Sequence, residues 1–303
     1  MTVRGDDLTD PMTLQRQIEE AQATGAAAAL YYDLRATLRS SFVPTVYRIL
    51  AAYPAYFETA WTRLRPNLAT RDTERAADAI HRACVARIEA LVPPDRGATV
   101  ALAPAVRREI GGVLKTFVAV NPKNLLTVTA LFEAWQGRPI TGDPRAGDWQ
   151  PISAGVPDGM PPIPVLPQGA DDPRVREIFA EAAAVMGGAA VPSIYRTLAR
   201  WPDYLAAAWR SLADPARGAR LRAQAVPVLI AEATSLCHGL PFPFALDRAT
   251  VAATLPARDV EAIEATLARF QRGITEAMLQ IACLLRDLEG AAALGARPFG
   301  VPA

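Results

Sequence analysis

The side chains able to hold a metal or act as nucleophiles are few, and their spacing limits what they can do. The chain has two histidines and three cysteines. His81 and Cys84 stand three residues apart, so on a helix their side chains meet. Cys237 and His238 are adjacent, so on one helix they face apart. Brought together, the two pairs supply the four ligands of a zinc site. Kept apart, they read as buried thiols and hydrogen-bonded rings. There is no C-x-x-C pair for disulfide exchange, no glycine-rich phosphate loop, no H-E-x-x-H and no G-x-S-x-G. The expectation is no metal and no cofactor. Arginine offers the remaining chemistry. Arg48 and Arg196 each follow a tyrosine, Tyr47 and Tyr195, inside apolar segments. A guanidinium there either packs under a helix or pairs with a substrate carboxylate in two-pronged fashion. Its presence in both segments favours the structural role.

Those two segments are nearly one segment written twice. VPTVYRILAAYPAYFETAW at 43–61 and VPSIYRTLARWPDYLAAAW at 191–209 share ten of nineteen positions. The chain therefore reads as two copies of one unit, with its most distinctive site between them. The stretch between the copies is rich in proline and glycine, including PPIPVLP at 161–167, and has no hydrophobic period. It is long enough to wrap along a surface rather than cross a gap. The expected organisation is a helical repeat over 1–136, a linker over 137–173 and a second repeat over 174–303.

Alanine, leucine, arginine and glutamate dominate, and β-branched alternation is scarce, so the elements that position these residues are expected to be helices. The pattern predicts helices over 13–38, from Pro44, from Pro54 to about Leu64, and over 72–91. It predicts helices over 105–120 and 123–135, interrupted at Asn121-Pro122, with a loop at Pro93–Gly97. The second copy repeats the plan: 172–186, a turn at Gly187-Gly188, helices from Pro192 and Pro202, a long helix over 217–238 and a final pair over 257–289. The fold class is all-α, two tandem repeats forming an intramolecular pseudo-dimer.

At 303 residues the chain buries a large core. Lys+Arg 32 against Asp+Glu 31, with no basic stripe, argues against a nucleic-acid partner. Apolar runs such as Ala26–Leu30 are too short to span a bilayer, and no signal peptide is legible. A cytoplasmic protein with reduced thiols is expected, acting on a small organic ligand, with a homodimer left open.

The segments YYDLRATLRSSFVPTVYRILAAYPAYFETAW at 31–61, FVAVNPKNLLTVTALFE at 117–133, VPSIYRTLARWP at 191–202 and LARFQRG at 267–273 carry a family resemblance. With the doubled helical plan and the proline-rich linker, the chain resembles the group I 2-haloacid dehalogenases, which act on both enantiomers of small 2-haloacids. The resemblance implies a water activated by an aspartate, direct attack on the substrate Cα and release of halide. An asparagine holds the water, a serine binds the substrate carboxylate through its backbone N–H, and aromatic rings line the pocket. Carried over, the serine falls on Ser193, the aromatic positions on Phe42, Thr45 and Phe270, the asparagine on Val118 and the aspartate on Ile194. Isoleucine cannot take a proton from water. The expected site is Phe42, Thr45, Val118, Asn121, Ser193, Ile194 and Phe270, without the family's base. Two functions follow: hydrolase-like chemistry on a small organic acid or a more apolar substrate by another route, or a non-catalytic binding protein using the apolar pocket.

Overall fold

The computed structural model describes residues 16–94, 101–167, 169–185 and 190–301. The described residues are helical, with only two isolated β-bridges. In chain order the helices are α1 Gly25–Leu38, α2 Thr45–Leu50, α3 Pro54–Leu68, α4 Arg71–Leu91, α5 Pro104–Trp135 and α6 Pro173–Val185. There follow α7 Ser193–Leu198, α8 Pro202–Leu212, α9 Pro215–Gln224, α10 Val226–His238, α11 Arg248–Ala252 and α12 Ala257–Glu289. Prolines punctuate the starts as their missing N–H allows: Pro54, Pro104, Pro173, Pro202 and Pro215 open helices, and Pro44 and Pro192 sit just before α2 and α7.

Four elements differ from the pattern's expectation, each for a local reason. α1 begins at Gly25 and does not extend back through residues 16–24, because Gly25 takes a φ of 53°, which an uninterrupted helix does not contain; the expected start near residue 13 lies outside the described residues. α5 runs unbroken through Asn121-Pro122 for 32 residues. Every side chain from Thr116 to Leu131 is buried, so packing outweighs the hydrogen bond that Pro122 cannot donate. The stretch 217–238 is two helices, broken at Ala225 two residues before Pro227. The stretch 257–289 is one helix, α12, not a pair. The expected turn at Gly187-Gly188 and the end of the loop at Pro93–Gly97 lie outside the described residues.

α5 and α12 are the two longest helices, and they form the most extensive helix pairing in the molecule. One continuous apolar core runs through both halves of the chain, from Tyr31 and Phe57 to Leu267 and Leu285. Between α5 and α6 the chain is a strap. Gln150 and Ile152 bond to Arg71 and Ala69, Gly155 donates to Ala36 O, and Ser41 Oγ donates to Pro161 O. Farther into the second half, Ile140 exchanges two backbone bonds with Phe244, and Arg196 donates to Leu166 O. Strap backbone groups are thereby satisfied on both halves.

Candidate functional site

A cavity of about 50 Å³ lies where α2, α5, α7 and α12 converge. α2 contributes Thr45 and Val46, α5 Phe117, Asn121 and Asn124, and α7 Ser193 and Ile194. α12 contributes Phe270, Gly273, Ile274 and Ala277, and the connecting segments add Phe42, Pro44, Ala190 and Pro192. Phe42 and Phe117 pack as a tilted ring pair with centroids 4.7 Å apart. Of the seven residues expected from sequence, six line this space: Phe42, Thr45, Asn121, Ser193, Ile194 and Phe270. Val118 is buried in α5 but is not on the lining; Asn121, one helical turn along, is.

The polar end of the cavity is built from three groups. Thr45 Oγ1 and Ser193 Oγ, 148 residues apart in sequence, are 2.7 Å apart. Arg48 Nη2 donates to both, at 2.9 and 3.0 Å. Two hydroxyls carry two hydrogens; one is used between them, and the other is left for the cavity. On α5, Tyr47 OH donates to Asn124 Oδ1 at 3.2 Å, and Asn124 Nδ2 donates to Asn121 Oδ1 at 3.2 Å. The amide oxygens are thus taken from behind, and Asn121 Nδ2 has no protein acceptor among the described residues. The first N–H groups of α2 and α7, at Thr45, Val46, Ser193 and Ile194, also lack a backbone acceptor, as first-turn groups do. The lining therefore offers hydrogens and few lone pairs. None of its side chains titrates.

Behind the hydroxyls, Arg48 and Arg196 are each only 1 % exposed, and one carboxylate joins them. Glu19 lies 2.6 Å from Arg48 Nη1 and 3.0 Å from Arg196 Nη2. Burial, and then the like charge of Arg48, push the Arg196 guanidinium down to about 10, against the opposing pull of Glu19. Burial likewise lowers Arg48. Glu19 had no signal in the sequence, because it sits before α1 in no repeat and no period. The α12 contributions Gly273, Ile274 and Ala277 were missed too, although Phe270, Ile274 and Ala277 follow helical spacing.

The other candidate groups lie elsewhere. His81 bonds Leu294 O at 3.0 Å, and His238 pairs with Glu133 at 3.2 Å. Cys84 and Cys237 are buried, and burial pushes both thiols up, Cys237 to about 12. Among the described residues no cluster of three or more His, Cys, Asp or Glu side chains is placed to hold a metal ion. Glu133 is taken by Arg138 and His238, and Asp203 by Arg174. Asp33 and Glu181, also 148 apart, each accept the indole N–H of a tryptophan, Trp61 and Trp209. No described helix is long and apolar enough to cross a membrane.

An all-helical body whose converging helices close on a small, donor-lined cavity can be compared with known proteins. Residues 41–153 match the family model described as halocarboxylic acid dehydrogenase DehI. A configuration-inverting 2-haloacid dehalogenase of Alcaligenes xylosoxydans xylosoxydans is 27% identical over 288 residues, covering 94% of this chain and 97% of that protein. An (R)-2-haloacid dehalogenase of Pseudomonas putida is 30% identical over 209 residues, covering 65% and 67%. A solved D-2-haloacid dehalogenase mutant has the same fold, with a TM-score of 0.81 at 24% identity over 91% of this chain and 96% of that one. A second, a D-2-haloacid dehalogenase in complex with L-LA, has a TM-score of 0.78 at 24% identity over 92% and 96%. The chain belongs to the 2-haloacid dehalogenase family.

Proposed function

We propose that the cavity binds a small organic acid and that the chain does not hydrolyse it through a base at position 194. One observation carries this reading: the lining supplies hydrogen-bond donors and no group that accepts a proton. A carboxylate or halide suits such a set, and an attacking water, which must lose a proton, does not. The volume argues for a ligand of a few heavy atoms, because drug-sized sites run to roughly 300–1,000 Å³. The apolar part of the acid lies among Phe42, Phe117, Phe270, Ile194 and Ile274. Ser193 and Thr45 meet its carboxylate, with Asn121 Nδ2 as a further donor. The expected arrangement of the chain as two repeats about this cavity, joined by the strap, belongs to the same reading.

A second reading keeps turnover. The relatives are named as 2-haloacid dehalogenases, and Asn121 can hold a water against the ligand even without a base. The two separate in one experiment. Propionate and 2-chloropropionate are titrated by calorimetry or by amide chemical shifts, and free halide is followed by electrode over the same samples. Saturable binding with no halide above the buffer blank is the expected result. Steady halide release would establish turnover, and absence of saturable binding would remove the acid from the cavity.

A further inference from the structure

The lining explains why the cavity takes an acceptor, and the charges behind it bear on how strongly an anion is preferred to a neutral group. Arg48 and Arg196 are buried, from different halves of the chain, and share the single carboxylate of Glu19. The neighbouring carboxylate, Glu20, accepts the Val43 N–H at 2.8 Å and faces Arg35 at 3.8 Å, so it is already engaged. Arg48, Arg196 and Arg35 against Glu19 and Glu20 leave one surplus positive charge. The guanidinium inventory agrees: Arg48 Nε and Arg196 Nη1 are buried without a hydrogen-bond partner. Buried charge left uncompensated is costly, so an anion brought within reach lowers the free energy of the cluster. The route to the cavity is direct. Arg48 Nη2 donates to Thr45 Oγ1 and Ser193 Oγ, and those hydroxyls face the ligand. A hydroxyl whose oxygen accepts from a guanidinium is a stronger donor through its own hydrogen.

We propose that Arg48, which does not itself line the cavity, is the positioning residue that makes the cavity select an anionic ligand over its neutral isostere. It acts through Thr45 and Ser193, and Glu19 holds that selectivity down by sharing the same guanidinium. The proposal rests on the acid-binding reading above and adds the source of the discrimination. Arg196 takes part only through Glu19; its remaining bond goes to the strap at Leu166 O.

The test is the ratio of affinities for propionate and propionamide, which differ in charge but hardly in shape. Arg48→Met is expected to lower the acid-to-amide ratio by about tenfold or more while propionamide affinity holds, as loss of a charge-assisted donor requires. Arg48→Lys recovers part of the ratio. Glu19→Gln raises it by roughly threefold, more at low salt. Thr45→Val with Ser193→Ala leaves every charge in place and cuts the relay, so adding Glu19→Gln to that pair no longer raises the ratio; this comparison serves if Arg48→Met does not fold. A merely structural arginine would change both affinities together, and that outcome, or a ratio lowered by Glu19→Gln, overturns the proposal. Wild-type protein that takes neither ligand would end the acid-binding reading as well. Wild-type protein that takes the acid, with a ratio unmoved in Arg48→Met, or raised by Glu19→Gln in the hydroxyl pair as in wild type, would end this one alone.

Discussion

The long helices α5 and α12 each lend a phenylalanine, Phe117 and Phe270, to the cavity wall, and the two rings give a common register for comparing them. Counted from those rings, Asn121 corresponds to Ile274, Asn124 to Ala277 and Lys123 to Glu276. α5 brings the polar groups and α12 the hydrocarbon. The buried charges differ in the same sense. Lys123 is enclosed by partners: its ammonium donates to Leu38 O at 2.5 Å and to Glu74 at 3.2 Å, and Glu74 is shared with Arg297. Glu276 is 8 % exposed and has no hydrogen bond or ion pair among the described residues. Burial alone would raise the Glu74 carboxyl, but Lys123 and Arg297 outweigh it and hold it below the usual range. Burial raises Glu276, and Arg222 and Arg272 only partly offset it. One helix carries a satisfied buried charge and its counterpart carries a strained one.

Breaking the satisfied side has the largest expected effect. Glu74→Gln leaves Lys123 and Arg297 buried without their carboxylate, and we expect a loss of about 3–5 kcal/mol in denaturant unfolding. Glu276→Gln, the matched change on the other helix, is expected to be neutral or stabilising; an equal loss from both would dissolve the contrast. Asn121→Leu gives α5 the apolar character of α12 at the cavity and should weaken propionate binding by about tenfold, near the value of one hydrogen bond to a charged group. Calorimetric titration of that variant decides it.

The pH dependence sharpens the same contrast with opposite signs. The folded value of Glu74 is lowered, so its contribution is present above the unfolded value of 4.5 and is lost as pH falls through the folded one. The folded value of Glu276 is raised, so the folded state holds its proton longer, and stability from this group falls as pH rises from 4.5 through the folded value. The melting temperature of Glu276→Gln should therefore match wild type at the acid end of that window and exceed it above. The smallest expected effect is a gain. Ile194→Asp adds a carboxylate to the wall of the same cavity, where it competes with the ligand acid for the Ser193, Thr45 and Asn121 donors instead of sitting free to activate a water. Halide release from 2-chloropropionate should be slight; brisk release at pH 7 would show that one carboxylate at this position is enough to activate a water there.

Much of this was readable in the chain itself. The recurrence of V-P-x-x-Y-R located α2 and α7, and prolines marked the helix starts, because those signals are local. Pro122 misled for the opposite reason. A local breaker is overruled when the helix around it is buried on every side, and burial is not a local property. The same limit explains Asn121 and Val118: one turn of α5 decides which of them meets the cavity, and sequence spacing alone does not fix that rotation. Glu19 was invisible, since only the folded chain brings a residue ahead of α1 between two arginines that lie 148 positions apart.

The strap has a consequence for how the molecule comes apart. Its backbone is knitted to Ala36, Ala69 and Arg71 on one side and to Phe244 and Arg196 on the other. A protease cut made there after folding would sever the polypeptide without freeing either piece. The nicked protein should still migrate as a single species and melt in one transition.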